Sequence, residues 1–280
     1  MTMNNYILIV FDSCRYDSWM QAEPKTLKKV GAVEKRFSYA SWTAPSHFNL
    51  LMGLMPHNSP RHTVASDSYK DGFSKYGARL GTQALDFKAM LPSLYLPVFL
   101  KETLGYATHA MVSLPVLNPK TVLNRGFDSY TLMPKHNDMR AMLQRMRFEE
   151  DRPSFYLVNV GETHYPYMLP HEDPADWPKI HGVHGVFKHM DDSAATDASP
   201  GARKLFPSAP AMKEMRERQV AAVRYLDTVI EELLDMVPAH TFITVTADHG
   251  ELFGEDGYFG HGPIMHPTVL EVPFVEAQVR

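Results

Sequence analysis

Continuous apolar segments constrain the fold of this sequence more than any other feature. Residues Tyr6–Phe11 read YILIVF, Ser154–Val160 read SFYLVNV and Thr241–Thr246 read TFITVT, and Thr108–Leu114 is a further candidate strand. Strict alternation of apolar and polar residues would indicate a strand with one face in water. Near-continuous runs of β-branched and aromatic residues are instead typical of strands that are covered on both faces of a parallel sheet. The chain is therefore predicted to contain a mostly parallel central sheet.

Two amphipathic segments between these strands are predicted to be helices. Leu94–Leu104 has apolar residues at helical spacing before Gly105, and Met212–Met236 has a longer apolar stripe before Pro238. The alternation of strands and helices indicates an α/β fold, with a mostly parallel central sheet flanked by helices. We expect residues 1–280 to form a single domain, with an irregular excursion at about 170–210. The histidines of this excursion are interpreted as loop residues: His181, His184 and His189.

Composition excludes several classes of protein and partner. The formal net charge is −4 over 280 residues and no long basic run is present, which gives no indication of nucleic-acid or membrane binding. Cys14 is the only cysteine, so an intrachain disulfide is excluded. No stretch approaches the ~20 apolar residues that span a bilayer, and Ile7–Phe11 is too short for the core of a signal peptide. We expect a cytoplasmic protein, and a homo-oligomer is left open.

Polar residues follow three of the predicted strands directly. Asp12 follows the first strand, the segment Gly161–His164 follows SFYLVNV, and Asp248 with His249 follows TFITVT. The carboxyl ends of parallel strands lie at one edge of a sheet, where binding sites form. Carboxylates and an imidazole at such an edge can bind a divalent cation. Either aspartate alone could be a helix cap, but their joint position after buried strands favours one shared site.

The segment around Thr43 is predicted to begin a helix. Thr43 is the expected N-cap, and Ala44 and Pro45 fit the first turn. The free N–H groups at a helix N-terminus attract a phosphate or sulfate oxyanion. A threonine hydroxyl beside a divalent cation would lose its proton easily and could attack phosphorus. Thr43 is therefore a candidate nucleophile.

Several segments of the chain resemble the alkaline phosphatase superfamily, and specifically its sulfatase-like branch, and they occur in the order typical of that family. The resemblance extends over nearly the whole chain and implies the α/β fold of that superfamily. Its smaller C-terminal subdomain is expected to be absent or minimal here, because the chain ends at Arg280. The segments that carry the resemblance are Ile7–Trp19, Thr43–Pro56 with its Gly-Leu-x-Pro ending, Gly105–Tyr130 with a GFD turn, His164–Tyr167, Tyr225–Glu251 with its DHGE sequence, Gly260–Gly262 and Val272–Phe274.

The resemblance implies a role for each candidate site residue. His164 and His261 would donate hydrogen bonds to the non-bridging oxygens of the substrate, and His261 could also protonate the leaving oxygen. Arg15 would bind the anion, with an ion pair to Asp17 as the alternative, and His47 is also placed with the substrate-binding residues. A divalent cation (Mn, Zn, Ca or Mg) is expected, and a second one could use Glu162, His164 and His261. The implied ligands of the favoured single cation are Asp12, Thr43, Asp248 and His249.

Two departures from the family pattern bear on the substrate. Formylglycine sulfatases carry Cys or Ser at the position of Thr43 and an arginine at the position of His47. The sequence Thr-x-Pro-Ser-His-Phe is instead similar to nucleotide pyrophosphatase/phosphodiesterases, and threonine nucleophiles also occur in two membrane-anchored transferase classes. We therefore predict hydrolysis of a small-molecule phosphodiester, phosphomonoester or phosphonate ester through a phospho-threonine. The alternatives are a sulfuric-ester hydrolase, a phosphoryl transferase and a non-catalytic anion-binding protein.

Overall fold

The computed structural model describes residues 3–58, 71–83, 85, 95–176, 178, 187–188 and 207–279. Most of the excursion predicted at about 170–210, including His181, His184 and His189, lies outside these residues. The strands are β1 (Asn5–Phe11), β2 (Glu34–Phe37), β3 (Ala107–Val112), β4 (Ser129–Leu132), β5 (Ser154–Val160), β6 (Phe187–Lys188), β7 (Thr241–Thr246), β8 (Leu252–Phe253), β9 (Tyr258–Gly260) and β10 (Glu271–Val279). The helices are α1 (Tyr16–Ala22), α2 (Lys25–Val30), α3 (Thr43–Leu51), α4 (Tyr76–Leu80), α5 (Leu96–Leu104), α6 (Met139–Leu143), α7 (Ala209–Met236) and α8 (Pro267–Leu270).

A seven-stranded sheet with the order β2-β10-β7-β1-β5-β3-β4 forms the centre of the fold. β10 runs antiparallel to both of its neighbours, whereas the other pairings in this sheet are parallel. This confirms the predicted α/β fold with a mostly parallel central sheet. A smaller antiparallel sheet, in the order β6-β9-β8, follows the carboxyl end of β7.

The continuous apolar character of β1 follows from its position at the centre of the sheet. Ile7, Ile9 and Phe11 face the core that is closed by α1, α2, α6 and α7. The alternate residues Tyr6 and Leu8 face the opposite core, which is closed by α3, α4 and α5. All five side chains are fully buried. Both faces of the strand must therefore be apolar, since each packs against a separate layer of helices.

The predicted strands and helices are observed in the structure, but some of them begin or end at different residues. The predicted strands Ser154–Val160 and Thr241–Thr246 have the observed bounds, whereas the strand predicted over Thr108–Leu114 is observed as Ala107–Val112. The helix predicted over Leu94–Leu104 begins at Leu96 and ends at Leu104. Gly105 follows it with a φ of 74°, the left-handed conformation that glycine tolerates after a helix. Leu94 lies outside the described residues.

Helix α7 is the longest helix of the described chain, and it packs against α1 and α2. Its predicted apolar stripe is buried, and Ser208 caps its start by accepting a hydrogen bond from the Ala211 N–H. No helix within the described ranges combines the length and apolarity that a membrane crossing requires. The stripe comprises Val220, Val223, Leu226, Val229, Ile230 and Leu233.

A carboxylate of α7 caps α2 from a distant part of the chain. The Asp227 side chain accepts hydrogen bonds from the backbone N–H groups of Lys25, Thr26 and Leu27, at 2.7, 3.0 and 2.8 Å. These N–H groups have no partner within the helix, so the carboxylate supplies their acceptor. Its negative charge also interacts favourably with the positive end of the helix dipole. Asp227 therefore fixes α2 against α7.

We expect Asp227→Ala to lower the free energy of unfolding by about 1–3 kcal/mol, because three N–H groups lose their acceptor. Urea unfolding followed by circular dichroism would measure the change. Asp235→Ala is the matched control, since Asp235 lies on the exposed side of the same helix, and it should change stability by less than about 0.5 kcal/mol. Equal effects of the two substitutions would contradict the capping role of Asp227.

Candidate active site

Four separate segments of the chain meet at the carboxyl ends of the central strands. Asp12 follows β1, Thr43 begins α3, and Asp248 and His249 follow β7. The loop after β5 adds His164, whose charge acts on Asp12. Because β5, β1 and β7 are neighbours in the sheet, residues far apart in sequence are brought into one cluster. Asp12, Thr43, Asp248 and His249 are all buried.

Thr43 is the first residue of α3, and the prediction that it is the N-cap is wrong by one position. Trp42 is the N-cap residue, in an extended conformation and without a side-chain capping bond. The Thr43 side chain turns inward instead, where Oγ1 lies 3.5 Å from Asp12 Oδ1 and 3.3 Å from His249 Nε2. Its hydroxyl is therefore held beside a carboxylate and an imidazole at a helix N-terminus.

Asp12, His47 and Asp248 present ligand atoms that all lie within 4.8 Å of one another. Asp248 Oδ1 accepts hydrogen bonds from the backbone N–H groups of Ser13 and His249, both at 3.0 Å. Asp248 Oδ2 lies 3.3 Å from His249 Nε2 but accepts no hydrogen bond within the described chain. The His47 Nδ1–H donates to the Thr43 carbonyl at 2.8 Å, which leaves a buried Nε2 without a described partner.

The unpartnered Asp248 Oδ2 fits a divalent cation. A buried carboxylate oxygen without a hydrogen-bond partner costs about 1–3 kcal/mol, and coordination would satisfy this oxygen, which lies 3.6 Å from the His47 ring. Burial lowers the pKa of His47, and burial together with His261 lowers that of His249, so both rings are held in the neutral form that ligation requires. Carboxylate and imidazole ligands are compatible with Zn, Mn and Mg, so the ligand types do not identify the cation.

The two aspartates respond differently to burial. For Asp248, burial and the neighbouring charge of Asp12 both raise the carboxyl pKa well above its ordinary value. For Asp12, burial raises the carboxyl pKa, but the nearby histidines, His164 first, and the hydrogen bond from Asn159 together bring it below its ordinary value. An amide also supports Asp12: Asn159 Nδ2 donates to Oδ2 at 2.8 Å, a hydrogen bond that favours the charged form.

The structure places His47 differently from its predicted role. We predicted that His47 binds the substrate, but its ring is fully buried beneath Thr43 and lies 3.6 Å from Asp248 Oδ2. Thr43 and His47 are four positions apart, so one helical turn places both side chains on the same face of α3. This position favours a role in holding a cation, and direct contact with a substrate stays a prediction.

His164 and His261 lie at the open side of the cluster. Their ring centroids are 5.4 Å apart, and the His261 centroid is 4.3 Å from that of His249. The His164 Nδ1–H donates to the Tyr165 carbonyl at 2.8 Å, so its Nε2 is the nitrogen left for a ligand. Burial lowers the pKa of His261, but Glu251, 2.9 Å from Nδ1, raises it above its ordinary value. Nε2 is therefore the nitrogen that each ring can direct to an anion, and it donates a hydrogen bond there when the ring is protonated at both nitrogens.

The contacts of Arg15 include the ion pair with Asp17, which the sequence analysis gave as the alternative to binding of the anion. Its Nε and Nη2 donate to the two carboxylate oxygens of Asp17, each at 2.7 Å. Its Nη1 donates to Glu255 at 2.6 Å and to the Glu251 carbonyl at 3.1 Å. The ion pair with Asp17 is thus present, and the predicted role in binding the anion has no support from these contacts.

Glu162, a candidate ligand of a second cation, faces a different part of the molecule. Its carboxylate accepts a hydrogen bond from the Met139 N–H at 2.8 Å, at the start of α6. Burial raises the pKa of this side chain to about 7. His164 and His261 do lie in the site, but Glu162 shows no described contact with them. Among the described residues the cluster with closely spaced ligand atoms is Asp12, His47 and Asp248, and a second cation at Glu162, His164 and His261 stays a prediction.

Two residues that the sequence did not single out support the cluster. Asn159 could have been noticed as the one polar side chain within the apolar end of SFYLVNV. Glu251 belongs to the DHGE sequence, but its contact with His261 depends on how the chain turns through the small antiparallel sheet. That turn has no pattern in the sequence that specifies the pairing.

The sheet order and the helical layers define an alkaline phosphatase and sulfatase-like fold. The chain belongs to the sulfatase family, because the family model "Sulfatase" matches residues 4–276. A curated relative from Haloferax volcanii, described as the low-salt glycan biosynthesis sulfotransferase Agl7, is 23% identical over 279 residues and 96% of this chain. This chain spans about half the length of that relative, 53%.

Solved structures share the fold at low sequence identity. The C-terminal periplasmic domain of EptC from Escherichia coli, in complex with Zn, is 12% identical with a TM-score of 0.56, covering 100% of this chain and 74% of that one. The protein BT4656, in complex with its substrate D-glucosamine-2-N,6-O-disulfate, is 14% identical with a TM-score of 0.58, covering 99% and 71%. At these identities the comparison shows the fold alone.

We expect a divalent cation to stabilise the protein through Asp248. A cation at about 100 times its Kd should raise the free energy of unfolding by about 2.7 kcal/mol. In Asp248→Asn this gain should disappear, while the metal-free protein should be at least as stable as the wild type, since the like charge beside Asp12 is gone. Calorimetric titration and thermal unfolding with Zn, Mn, Ca and Mg would measure both. A full cation-dependent gain in Asp248→Asn would contradict the site.

Glu162 should make stability depend on pH. Its pKa is about 7 in the folded protein against an ordinary 4.5, so the folded state binds more protons between these values. The free energy of unfolding should therefore fall as pH rises from about 4.5 to 7, by up to roughly 3 kcal/mol. Glu162→Gln keeps the acceptor for Met139 and removes the titration. Urea unfolding at several pH values should show a smaller fall in this variant, and equal slopes would contradict the assignment.

Proposed function

We propose that this chain is a metal-dependent enzyme that cleaves phosphate-type esters through a phosphorylated Thr43. The observation that carries the proposal is the position of the Thr43 hydroxyl, between Asp12 and His249 at the start of α3. A hydroxyl is a weak nucleophile unless a neighbouring group or a cation takes part in its deprotonation. A purely structural threonine has no need for a buried hydroxyl that lies against an aspartate and an imidazole.

Binding and orientation of the substrate follow from the residues around Thr43. The N–H groups at the start of α3 and the rings of His164 and His261, whose centroids are 5.4 Å apart, would bind the oxygens of a tetrahedral anion. Asp12, His47, Asp248 and His249 would hold the cation, with Thr43 adjacent to it. When bound, the cation would supply Lewis acidity to the substrate oxygen and favour the deprotonated form of the threonine hydroxyl.

The reaction then proceeds in two displacements. Thr43 Oγ1 releases its proton to solvent and attacks phosphorus, the bond from phosphorus to the alcohol oxygen breaks, and that oxygen takes a proton from Nε2 of the protonated His261 ring. The first product is a free alcohol, and the enzyme carries a phosphoryl group on Thr43. Water then gives a proton to His261 Nε2 and attacks phosphorus, the bond from phosphorus to Thr43 Oγ1 breaks, and Oγ1 takes a proton from solvent as the phosphate product leaves. If an acceptor alcohol replaces water, the same residues perform a transfer.

Transfer or hydrolysis of a sulfate ester is the second candidate. It is favoured by the description of the Haloferax volcanii relative as a sulfotransferase and by the sulfated glucosamine in the BT4656 complex. Sulfate and phosphate esters present similar tetrahedral oxygens to such a site. Phosphorus is preferred here because Thr43 and His47 stand where formylglycine sulfatases carry Cys or Ser and arginine. The cytoplasmic location and the oligomeric state stay predictions.

A panel of nitrophenyl esters distinguishes these candidates. Metal-stripped protein would be assayed with a phosphomonoester, a phosphodiester, a phosphonate monoester and a sulfate ester after addition of Zn, Mn, Ca or Mg. We expect cation-dependent release from a phosphorus ester. Preferred release from the sulfate ester would support the second candidate. No release with any cation, despite tight cation binding, would favour a non-catalytic anion-binding protein.

Thr43→Ala should lower kcat by at least about 10³-fold, because the nucleophile is absent. Thr43→Ser is the matched control, since it keeps a hydroxyl at the same place and should retain measurable turnover. Circular dichroism would show that both variants fold. Trapping of a phosphoryl group on the protein during turnover, lost in Thr43→Ala, would locate the covalent step. Full activity of Thr43→Ala would exclude Thr43 as the nucleophile.

A further inference from the structure

We propose that Tyr167 and Glu251 position His261, so that its Nε2 faces the substrate position above Thr43. Glu251 Oε1 lies 2.9 Å from His261 Nδ1, and the Tyr167 hydroxyl donates to Glu251 Oε2. The proposal rests on the proposed function for its consequence on turnover. The three side chains form a continuous hydrogen-bonded row from the core to the open side of the site.

The hydrogen bonds of this row restrict the rotation of the Tyr167 and Glu251 side chains. Tyr167 and Glu251 are buried, and each of the two carboxylate oxygens of Glu251 has one described partner. A carboxylate accepts only, so His261 must present an N–H at Nδ1. When the ring is neutral this fixes the tautomer, and in either charge state it directs Nε2 away from Glu251. The side chain of His261, 16% exposed, then reaches the solvent side of the cluster.

The backbone of Tyr167 indicates a specific requirement for this residue. Its φ of 59° lies in the left-handed region, which is unfavourable for a bulky side chain by about 1 kcal/mol or more. The Tyr167 N–H donates to the His164 carbonyl at 2.8 Å, which ties this turn to the other histidine of the site. Its ring packs against Phe253 with the centroids 5.6 Å apart. A phenylalanine could make the same ring contact, so the hydroxyl has a separate purpose.

Arg15 fixes the same row from the opposite side. Its Nη1 donates to the Glu251 backbone carbonyl and to the Glu255 carboxylate, which in turn accepts from the Phe253 N–H at 2.6 Å. The guanidinium therefore holds the segment that carries both Glu251 and the ring packed on Tyr167. This contact supports a positioning role for Arg15, and its direct contact with an anion stays a prediction.

Kinetics of Tyr167→Phe and Glu251→Gln would test the row. We expect kcat to fall about 10-fold in Tyr167→Phe and about 100-fold in Glu251→Gln, with KM changed by less than about twofold. The loss should be larger for an alkyl ester than for a nitrophenyl ester, because the poorer leaving group depends more on protonation by His261. A purely structural defect would lower both rates equally.

A double variant that combines Tyr167→Phe with His261→Ala distinguishes an effect of Tyr167 on kcat through His261 from an effect that is independent of His261. If Tyr167 acts only through His261, Tyr167→Phe should cause no further loss of kcat in the His261→Ala background. Tyr106→Phe is the matched control, because it removes another buried tyrosine hydroxyl, which donates to the Asn4 carbonyl at 2.7 Å far from the site. It should leave kcat and the leaving-group dependence unchanged. Additive losses in the double variant would overturn the proposal.

An NMR readout keeps this test independent of turnover. In protein labelled with ¹⁵N-histidine, His261 should show a hydrogen-bonded Nδ1–H resonance, assigned by its disappearance in His261→Ala. This resonance should shift in Tyr167→Phe and shift further or vanish in Glu251→Gln. Absence of turnover with the expected resonances would overturn the proposed function and leave the row intact. Unchanged resonances in both variants, or wild-type kcat in Tyr167→Phe in an active enzyme, would overturn the row.

Discussion

The burial of two carboxylates side by side is the constraint on which the rest of the site depends. Asp12 and Asp248 follow adjacent parallel strands, and their ligand atoms lie within 4.8 Å of each other and of His47. In an apolar interior such a pair repels and opposes its own ionisation. The surrounding groups reduce this cost: Asn159 and Ser13 donate hydrogen bonds to the aspartates. Coordination of both carboxylates to a cation would offset the remaining cost of burying them side by side.

The sheet makes this arrangement rigid. β1 is paired to β5 and β7 on either side, so the end of each strand is fixed by its neighbours. Gln219 of α7 adds a tie, because its Nε2 donates to the carbonyls of both Ser13 and Thr163, at 2.9 and 3.1 Å. Thr163 in turn donates to the Asp12 carbonyl at 2.8 Å. The loops that carry the polar groups are thus held to one another as well as to the strands.

The sequence could predict the parts of the site that depend on strand ends. Buried parallel strands have an unmistakable apolar pattern, so Asp12, Asp248 and His249 were expected to meet, and they do. Their roles as ligands are still predictions. The exact N-terminus of α3 could not be predicted, because Thr43 is as good a cap as it is an inward-facing first residue. The contacts of Arg15 with Glu255 and of Glu251 with His261 depend on how separate loops meet, which no local pattern specifies.

The charge balance of the site bears on how it can hold an anion. Asp12 and Asp248 are acidic, whereas the guanidinium of Arg15 is neutralised by Asp17 and Glu255. Where formylglycine sulfatases carry an arginine, this chain has His47, whose pKa burial lowers, so that ring contributes no fixed positive charge. A phosphate or sulfate group would therefore meet two buried carboxylates with His261 as the best-supported cationic side chain. A divalent cation would favour the ionised form of Asp248, whose raised pKa otherwise favours the neutral acid, and would add positive charge beside Thr43. Substrate binding and cation binding should therefore be thermodynamically coupled.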